Sequence, residues 1–341
     1  MPKAPPSVPA PTPTIRDIAA RAGVSTGTVS RALKGQTGLT SETRQHVLTV
    51  ATALGYDHGK LRPVKTRRLG FLLHESHSGL SSNPFYFPVL HGVEVACRNS
   101  GIAFTYSSVS ALSEVGELIA LLEVDGLVCA GYWDPKILAE IVRAGKPVVL
   151  VDHDGAGLPS VNTDNISGAY QATQHLIATG RSRVAMLSGP EEHFSIRQRI
   201  EGYRQALLDA GRTPDDRLVI RRTVDTDEGN RAAAARLLNL SPRPDAVFAY
   251  NDHSALALLQ ECARQGIRVP EELAVVGFDD ITAARYSQPD LTTIAVDKEV
   301  LGREGVRLLL HPRPPERAHV TVPVRLVIRG SSRTRREVVA T

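Results

Sequence analysis

Cysteine is scarce: the 341-residue chain has three, Cys97, Cys129 and Cys262, far apart and each in an apolar context. An odd, scattered set excludes a disulfide framework and has no metal-ligand spacing. It predicts buried, reduced thiols and a cytoplasmic protein. Long hydrophobic runs are also missing, and no stretch approaches the length of a membrane span. The opening "MPKAPPSVPAPTPT" has no apolar h-region, so it is not a secretory signal; residues 1–13 read as a proline-rich disordered leader. Phosphate-cradling glycine loops are absent after the first body strand, where "HESHSG" stands, and so is the G-x-S-x-G elbow of a hydrolase. His74 and His77 with Asp152 and Asp154 share no ligand spacing. The expectation is no enzyme, no cofactor and no metal.

What is present is ordinary globular composition, 42% hydrophobic and 22% charged, enough for two or three domains with real cores. The net charge of +4 hides a division. Residues 1–68 hold eleven Lys/Arg against three Asp/Glu, a net +8, and the remainder holds 29 against 33, a net −4. Such a split fits a small polyanion-binding head on a neutral-to-acidic body, or a merely basic soluble surface.

Within the head, Thr14 to Asp17 reads as a capping-box-like start, and Ile15, Ile18, Ala19 and Ala22 recur at helical spacing. Gly23 ends that helix, Val24 fills the corner and Ser25 caps the next, whose apolar stripe is Val29, Ala32 and Leu33. A third helix runs from about Thr40 through Val47, Leu48, Ala51 and Leu54 to Gly55. Two helices joined by a glycine turn and braced by a third make a helix-turn-helix over 14–56. The second helix, "STGTVSRAL", carries short hydroxyl side chains and a glycine on its outer face. Gly27 costs about 1 kcal/mol relative to alanine. Small residues let a backbone approach the major groove, and hydroxyls bond phosphates or base edges. A helical hairpin without a ligand is the plainer reading, and the basic charge argues against it.

From Leu69 on, apolar strand-like runs ("LGFLL", "VDGLVCA", "PVVLVD", "RVAMLSG", "DAVFAY", "LAVVGF") alternate with helical stretches, which predicts two doubly wound parallel-sheet lobes. Ligands in such sheets sit at the carboxyl ends of the strands. Polar residues stand there: Asp152, Asn251, Asp252, Asp279 and Asp280, with Arg199 on the helix after "VAMLSG". Carboxylates, amides and a planar guanidinium suit a hydroxyl-rich ligand. Each alone is equally a helix cap, a loop bond or, for Arg199, a surface ion pair.

The head "TIRDIAARAGVSTGTVSRAL…LTSETRQHVLTVATALGY" closely resembles that of the LacI/GalR family of bacterial transcription regulators. The segments "NPFY", "VDHD", "RIEGY", "YNDHSALALL", "VVGFDD" and "PDLTTI" stand where the family's effector domain, similar to periplasmic sugar-binding proteins, has equivalents. The resemblance implies a repressor of carbohydrate uptake or catabolism genes. It would be a homodimer on a palindromic double-stranded operator, controlled by a small effector, a sugar or alternatively a nucleobase or nucleoside. A sugar receptor not acting on DNA fits the body but not the head.

Thr26 and Gly27 would occupy the base-reading positions, with Ser25, Thr28, Ser30 and Arg31 completing the DNA-contacting set. In the connector, 57–68, Leu61 is the candidate minor-groove wedge, although Gly59 and Pro63 leave little room for a hinge helix, and a solvated basic linker is the alternative. Phe85, Tyr86, Asp152, Arg199, Asn251 and Asp279 would line the effector cleft. The effector domain would span 69–336, with one lobe at about 69–161 and 293–322 and the other at about 162–291 and 323–336, followed by a tail at 337–341. Val224 stands where many relatives have an aromatic residue and Val296 where some have a glutamine, so Trp133 is a candidate replacement ring, with core packing the alternative.

Overall fold

The computed structural model describes residues 13–33, 38–56, 66–75, 84–110, 115–224, 226–311 and 318–333. Leu61 and most of the connector, the leader and the tail lie outside the described residues. The chain divides into two compact units at Thr66/Arg67.

The first unit has three helices, α1 (Ile15–Ala22), α2 (Thr26–Leu33) and α3 (Ser41–Ala53). Thr14 and Asp17 close a reciprocal cap on α1: Thr14 N donates to Asp17 Oδ2 at 2.7 Å, and Asp17 N donates to Thr14 Oγ1. Gly23 takes the left-handed φ of +66° that turns the chain, and Ser25 Oγ accepts from Thr28 N at 3.0 Å to start α2. Ile18, Ala19 and Ala22 of α1, Val29 and Ala32 of α2, and Val47 and Ala51 of α3 bury together with Tyr56. The apolar stripes of all three helices thus meet in one small core.

The second unit starts with β1 (Arg68–His74), α4 (Tyr86–Asn99), β2 (Ala103–Val109), α5 (Val115–Leu122), β3 (Gly126–Ala130), α6 (Pro135–Arg143), β4 (Val148–Val151) and β5 (Ser160–Thr163). It continues with α7 (Asn165–Ala178), β6 (Val184–Ser188), α8 (Phe194–Asp209), β7 (Val219–Arg221), α9 (Asp227–Leu238), β8 (Ala246–Ala249), α10 (Asp252–Gln265), β9 (Ala274–Asp279) and β10 (Thr292–Val296). It ends with α11 (Lys298–Leu309), β11 (His319–Val322) and β12 (Val324–Val327). One sheet runs β11-β5-β4-β3-β1-β2 and the other β12-β10-β9-β8-β6-β7. All pairings are parallel except β10 with β12. β3, β4, β6, β8 and β9 are buried along their whole length, as their unbroken apolar runs require. Each sheet reverses direction around its first strand, β1 or β6, which places a topological switch point at those carboxyl ends. The three cysteines are free and buried.

The lobe boundaries differ from the expected ones. β5 remains in the first lobe through Thr163, and β10 pairs with β9 in the second lobe, so the chain returns only between Val296 and Lys298. An apolar run such as "TTIAV" marks a strand, but its sheet is decided by tertiary packing, here Ile294 in the core beside Phe278. The third crossing falls at Pro323, between β11 and β12. On its return the chain packs α11 against α4 at glycines: a Cβ at Gly302 would stand 2.1 Å from the Val89 carbonyl oxygen, and one at Gly92 2.2 Å from that of Glu299.

Candidate functional site

In the head, α2 turns Val29 and Ala32 inward and leaves Ser25, Thr26, Gly27 and Arg31 exposed, with Thr28 and Ser30 half-buried. Ser25 and Thr28 spend part of their hydrogen bonding on the helix cap, their hydroxyls 2.9 Å apart. Arg31 Nε reaches back to the Gly27 carbonyl at 3.4 Å. A Cβ at Gly27 would meet only Ser25 Oγ, at an ordinary 3.6 Å. Packing within the head therefore does not require this glycine.

In the body, one cavity of about 270 Å³ opens between the lobes, and Phe85, Tyr86, Asp152, Arg199, Asn251 and Asp279 all line it. That is room for a ligand of sugar or nucleoside size, since a single water needs only about 10–15 Å³ on the same measure. The first lobe contributes Phe85 and Tyr86 at the start of α4 and Asp152 just beyond β4. The second contributes Arg199 on the second turn of α8, Asn251 after β8 and Asp279 at the end of β9. Every one follows a strand's carboxyl end, as the doubly wound topology demands.

Arg199 is 4% exposed. Its Nε donates to Asn165 Oδ1 at 2.9 Å, its Nη1 donates to the Tyr250 carbonyl, and its guanidinium lies 3.7 Å from the Phe278 ring centroid. Its Nη2 stands 3.6 Å from Asp279 Oδ1. This is a fixed cation with one edge toward the cavity, so the surface-pair reading of Arg199 does not hold. Asp279 has φ +112° and Asp280 φ +50°. Strain in two consecutive residues at a strand end is typical of a site where side-chain direction matters. Burial pushes the Asp279 carboxyl up to about 6, against the lowering influence of Arg199 and Lys298. Among the described residues, Asp279 Oδ1 is buried without a hydrogen-bond partner.

Asp152, at φ +56°, accepts from the Tyr86 hydroxyl at 2.8 Å, and burial raises its carboxyl despite Arg199 and that bond. The same burial raises the Tyr86 phenol well above its ordinary value, so Tyr86 stays a donor. Asn251 caps α10, its Oδ1 accepting from Ser254 N at 2.9 Å, and it also lines the cavity.

Several lining residues carried no signal in the sequence: His193, Ser195, Arg222, Asp227, Asn230 and Tyr250. Across the lobes, the Tyr132 ring stacks on His193 with centroids 4.7 Å apart and planes at 20°, and His153 meets Tyr132 edge-on at 5.8 Å. Burial lowers His153 to about 4, so it is neutral at physiological pH. Behind the cavity, Lys298 Nζ donates to the carbonyls of Asp279 and Val296 and lies 5.9 Å from the Phe85 ring, touching both walls. Below Asp279, the buried Asp252 accepts from Thr293 Oγ1 at 2.5 Å and from Ile281 N at 2.9 Å. Burial, then the neighbouring Asp279, raises it to about 8.

Trp133 is not a replacement ring. It is 1% exposed, packed in the first lobe's core with His74 edge-on at 6.1 Å. Val296 is in the core and Val224 is exposed, and neither lines the cavity. Among the described residues no group of His, Cys, Asp or Glu is arranged to hold a metal, and no helix is long and apolar enough to cross a membrane.

Comparison with known proteins agrees with both halves of this geometry. Residues 14–58 match the family of bacterial regulatory proteins called lacI, and residues 173–332 match a periplasmic binding protein-like domain. The chain is 37% identical to the HTH-type transcriptional regulator CelR of Thermobifida fusca over 93% of this chain and 95% of that protein. It is 32% identical to the HTH-type transcriptional repressor CytR of Escherichia coli K12, covering 94% and 96%. Its fold superposes on a solved CelR–cellobiose complex with a TM-score of 0.71 at 34% identity, covering 94% of this chain and 99% of that one. A DNA-binding head of this kind joined to a two-lobed ligand-binding body, matched over nearly the whole length of such regulators, shows that the chain belongs to the LacI family of bacterial transcriptional regulators.

Proposed function

We propose that this regulator is a repressor that senses an uncharged sugar in the inter-lobe cavity and thereby controls genes for carbohydrate uptake or catabolism. The carrying observation is the charge of the cavity. Among the described residues, Arg199 and Arg222 line the cavity against Asp152, Asp227 and Asp279, with Lys298 beneath, so there is no surplus of positive charge. A phosphorylated or other anionic ligand would lack such a surplus to pair with in a partly desolvated site. Carboxylates such as Asp152 and Asp279 accept from vicinal hydroxyls, and Arg199 and Asn251 donate to ring or hydroxyl oxygens. The structural likeness to a protein complexed with cellobiose supports the same class. A nucleoside is the second reading, favoured by the rings of Phe85, Tyr86 and Tyr250 beside the planar Arg199.

On the DNA side, Thr26 and Gly27 read bases, Ser25, Thr28, Ser30 and Arg31 contact bases or backbone, and Leu61 is the candidate wedge. Paired bodies of a homodimer set the half-site spacing on a palindromic operator. Ligand-induced closure of the lobes changes that pairing and hence the spacing of the heads. On this reading the protein works in the cytoplasm, associates with the nucleoid when bound to DNA, and acts as a regulator rather than an enzyme.

The test is a thermal-shift series on the full chain with cellobiose, glucose 6-phosphate and adenosine. Stabilisation by cellobiose and none by the phosphate is expected. Stabilisation by the phosphate would overturn the uncharged-ligand reading, and stabilisation by adenosine alone would replace the sugar with a nucleoside.

A further inference from the structure

Asp279 and Asp280 both have positive φ, +112° and +50°, so the peptide between them joins two strained residues. That peptide is held at both ends. Its carbonyl accepts from Lys298 Nζ, and its N–H, that of Asp280, donates to Thr293 Oγ1 at 3.4 Å. Thr293 Oγ1 in turn donates to Asp252 Oδ1 at 2.5 Å. Lys298 opens α11, the helix on which the chain re-enters the first lobe, and Asp297 caps that helix by accepting from Val300 N at 3.0 Å. The backbone that carries the ammonium thus belongs to one lobe, and the peptide that it holds belongs to the other. Lys298 is 8% exposed. Among the described residues its partners are the carbonyls of Asp279 and Val296 and the Phe85 ring, rather than a carboxylate. Burying an ammonium on neutral partners is costly, more than simple packing at this place would require.

We propose that Lys298 is a positioning residue for effector binding: carried by the first lobe, its ammonium clamps the Asp279–Asp280 peptide of the second and so sets the direction in which Asp279 faces the cavity. The inference rests on the reading of the inter-lobe cavity as the effector site. Asp279 lines that cavity and Lys298 stands behind it, so the lysine acts through the aspartate rather than on the ligand. A peptide that joins two residues of positive φ gains by rotating toward an ordinary conformation, and such a rotation swings the Asp279 side chain. The bonds on its carbonyl and on its N–H oppose that rotation from opposite sides. A second effect is electrostatic. The charged and titratable groups that act on Asp279 are Arg199 of α8, Asp152 beyond β4, Asp252 of α10, Tyr86 of α4 and Lys298 of α11. Arg199 and Lys298 favour the ionised carboxylate, while burial and Asp152 oppose it. Removing the ammonium therefore frees the peptide and raises the Asp279 carboxyl, and both changes weaken a site that accepts from hydroxyls.

The test compares Lys298→Met, which keeps the length of the side chain without the ammonium, with Lys298→Arg, which keeps a cation and its donors. The full chain is labelled with ¹³C at Cγ of aspartate, and the Asp279 carbon is assigned by its loss in Asp279→Asn. In the wild type that carbon should titrate at about 6. In Lys298→Met it should titrate at least about half a pH unit higher, and Lys298→Arg should return most of the difference. Cellobiose, or adenosine if only that binds the wild type, should bind Lys298→Met at least about tenfold more weakly, with its pH profile moved in the same direction. Should Lys298→Met not fold, Lys298→Gln takes its place: it is neutral but can still donate to the carbonyl, so the carboxyl should rise as far with a smaller loss of affinity. An Asp279 carbon that titrates alike with and without the ammonium would overturn the positioning role. So would a loss of affinity that leaves the pH profile unmoved and that Lys298→Arg does not repair. A wild type that binds neither ligand would count against the effector reading alone, and the carboxyl titration would still decide the role of Lys298.

Discussion

Arg199 Nη2 and Asp279 Oδ1 stand 3.6 Å apart, close enough for ionic attraction and too far for a hydrogen bond. The rest of the Arg199 guanidinium is committed to Asn165, Tyr250 and Phe278, so the arginine cannot move over to close the gap. The pair is therefore held at ion-pair distance, with Asp279 Oδ1 making no hydrogen bond among the described residues. This arrangement also limits what an Arg199→Ala variant can report. Removing the guanidinium strands Asn165 Oδ1, the Tyr250 carbonyl and Asp279, a destabilisation of roughly 3–5 kcal/mol. Loss of effector response in that variant would be confounded with loss of fold.

Asp279→Asn is the cleaner probe. It keeps the shape of the side chain and tolerates the positive φ, but replaces a carboxylate that accepts with an amide that accepts less strongly. Effector affinity should fall at least tenfold, about 1.4 kcal/mol, with operator affinity in the absence of effector unchanged. Because burial raises this carboxyl to about 6, and hydroxyl donors prefer the ionised form, affinity in the wild type should weaken as pH falls below about 6. The loss should be no more than about tenfold per pH unit. Isothermal titration from about pH 5 to about pH 8 checks this; a wild-type profile as flat as that of Asp279→Asn would remove Asp279 from ligand contact.

Asp252 carries a separate pH signature in stability. Its folded value of about 8 lies above the ordinary 3.8. A raised acid contributes its full stability below the unfolded value and loses it as pH rises toward the folded one. Stability should therefore decline from about pH 4 to about pH 8, by an amount on the order of a few kcal/mol. Asp252→Asn can still accept from Ile281 N and can pair with Thr293 Oγ1 by donating, so it should flatten that decline. Urea denaturation of both proteins at several pH values measures it, and parallel curves would show that Asp252 is ionised throughout.

In the head, Gly27→Ala should separate folding from recognition. The site has room for a methyl group, so alanine should stabilise the helix by up to about 1 kcal/mol. If the glycine exists to let α2 approach the bases, operator binding should weaken even as the head gains stability. Thr26→Ala should instead relax preference at one symmetric pair of base positions, by about 1–3 kcal/mol. Fluorescence anisotropy with operator variants distinguishes the two; unchanged binding by Gly27→Ala would return that glycine to chance.

Much of this was legible in the sequence because it obeys local rules. The head could be read from caps and stripes: Thr14, Gly23 and Ser25 each act on the backbone within a few residues. Asp152, Arg199, Asn251 and Asp279 stood out because strand ends are where a doubly wound sheet exposes polar groups, whereas Phe85 and Tyr86 were implied only by the family resemblance. Arg222, Asn230 and the Tyr132–His193 stack are brought to the cavity from loops and helix starts, where no periodicity marks a side chain's direction. Asn165 carries no local signal of its role, yet it anchors Arg199 from 34 positions away. The sheet of β10 and the burial of Trp133 were hidden for the same reason: a strand or an aromatic residue can be recognised locally, but its packing partners are long-range.

The central claim is that occupancy of the inter-lobe cavity controls the grip of the head on DNA. The direct measurement is operator affinity of the full chain with and without saturating cellobiose, with Asp279→Asn measured in parallel. A change of at least about fivefold in the operator Kd of the wild type, abolished in Asp279→Asn, is the result predicted. An operator Kd that is the same with the sugar demonstrably bound would contradict it.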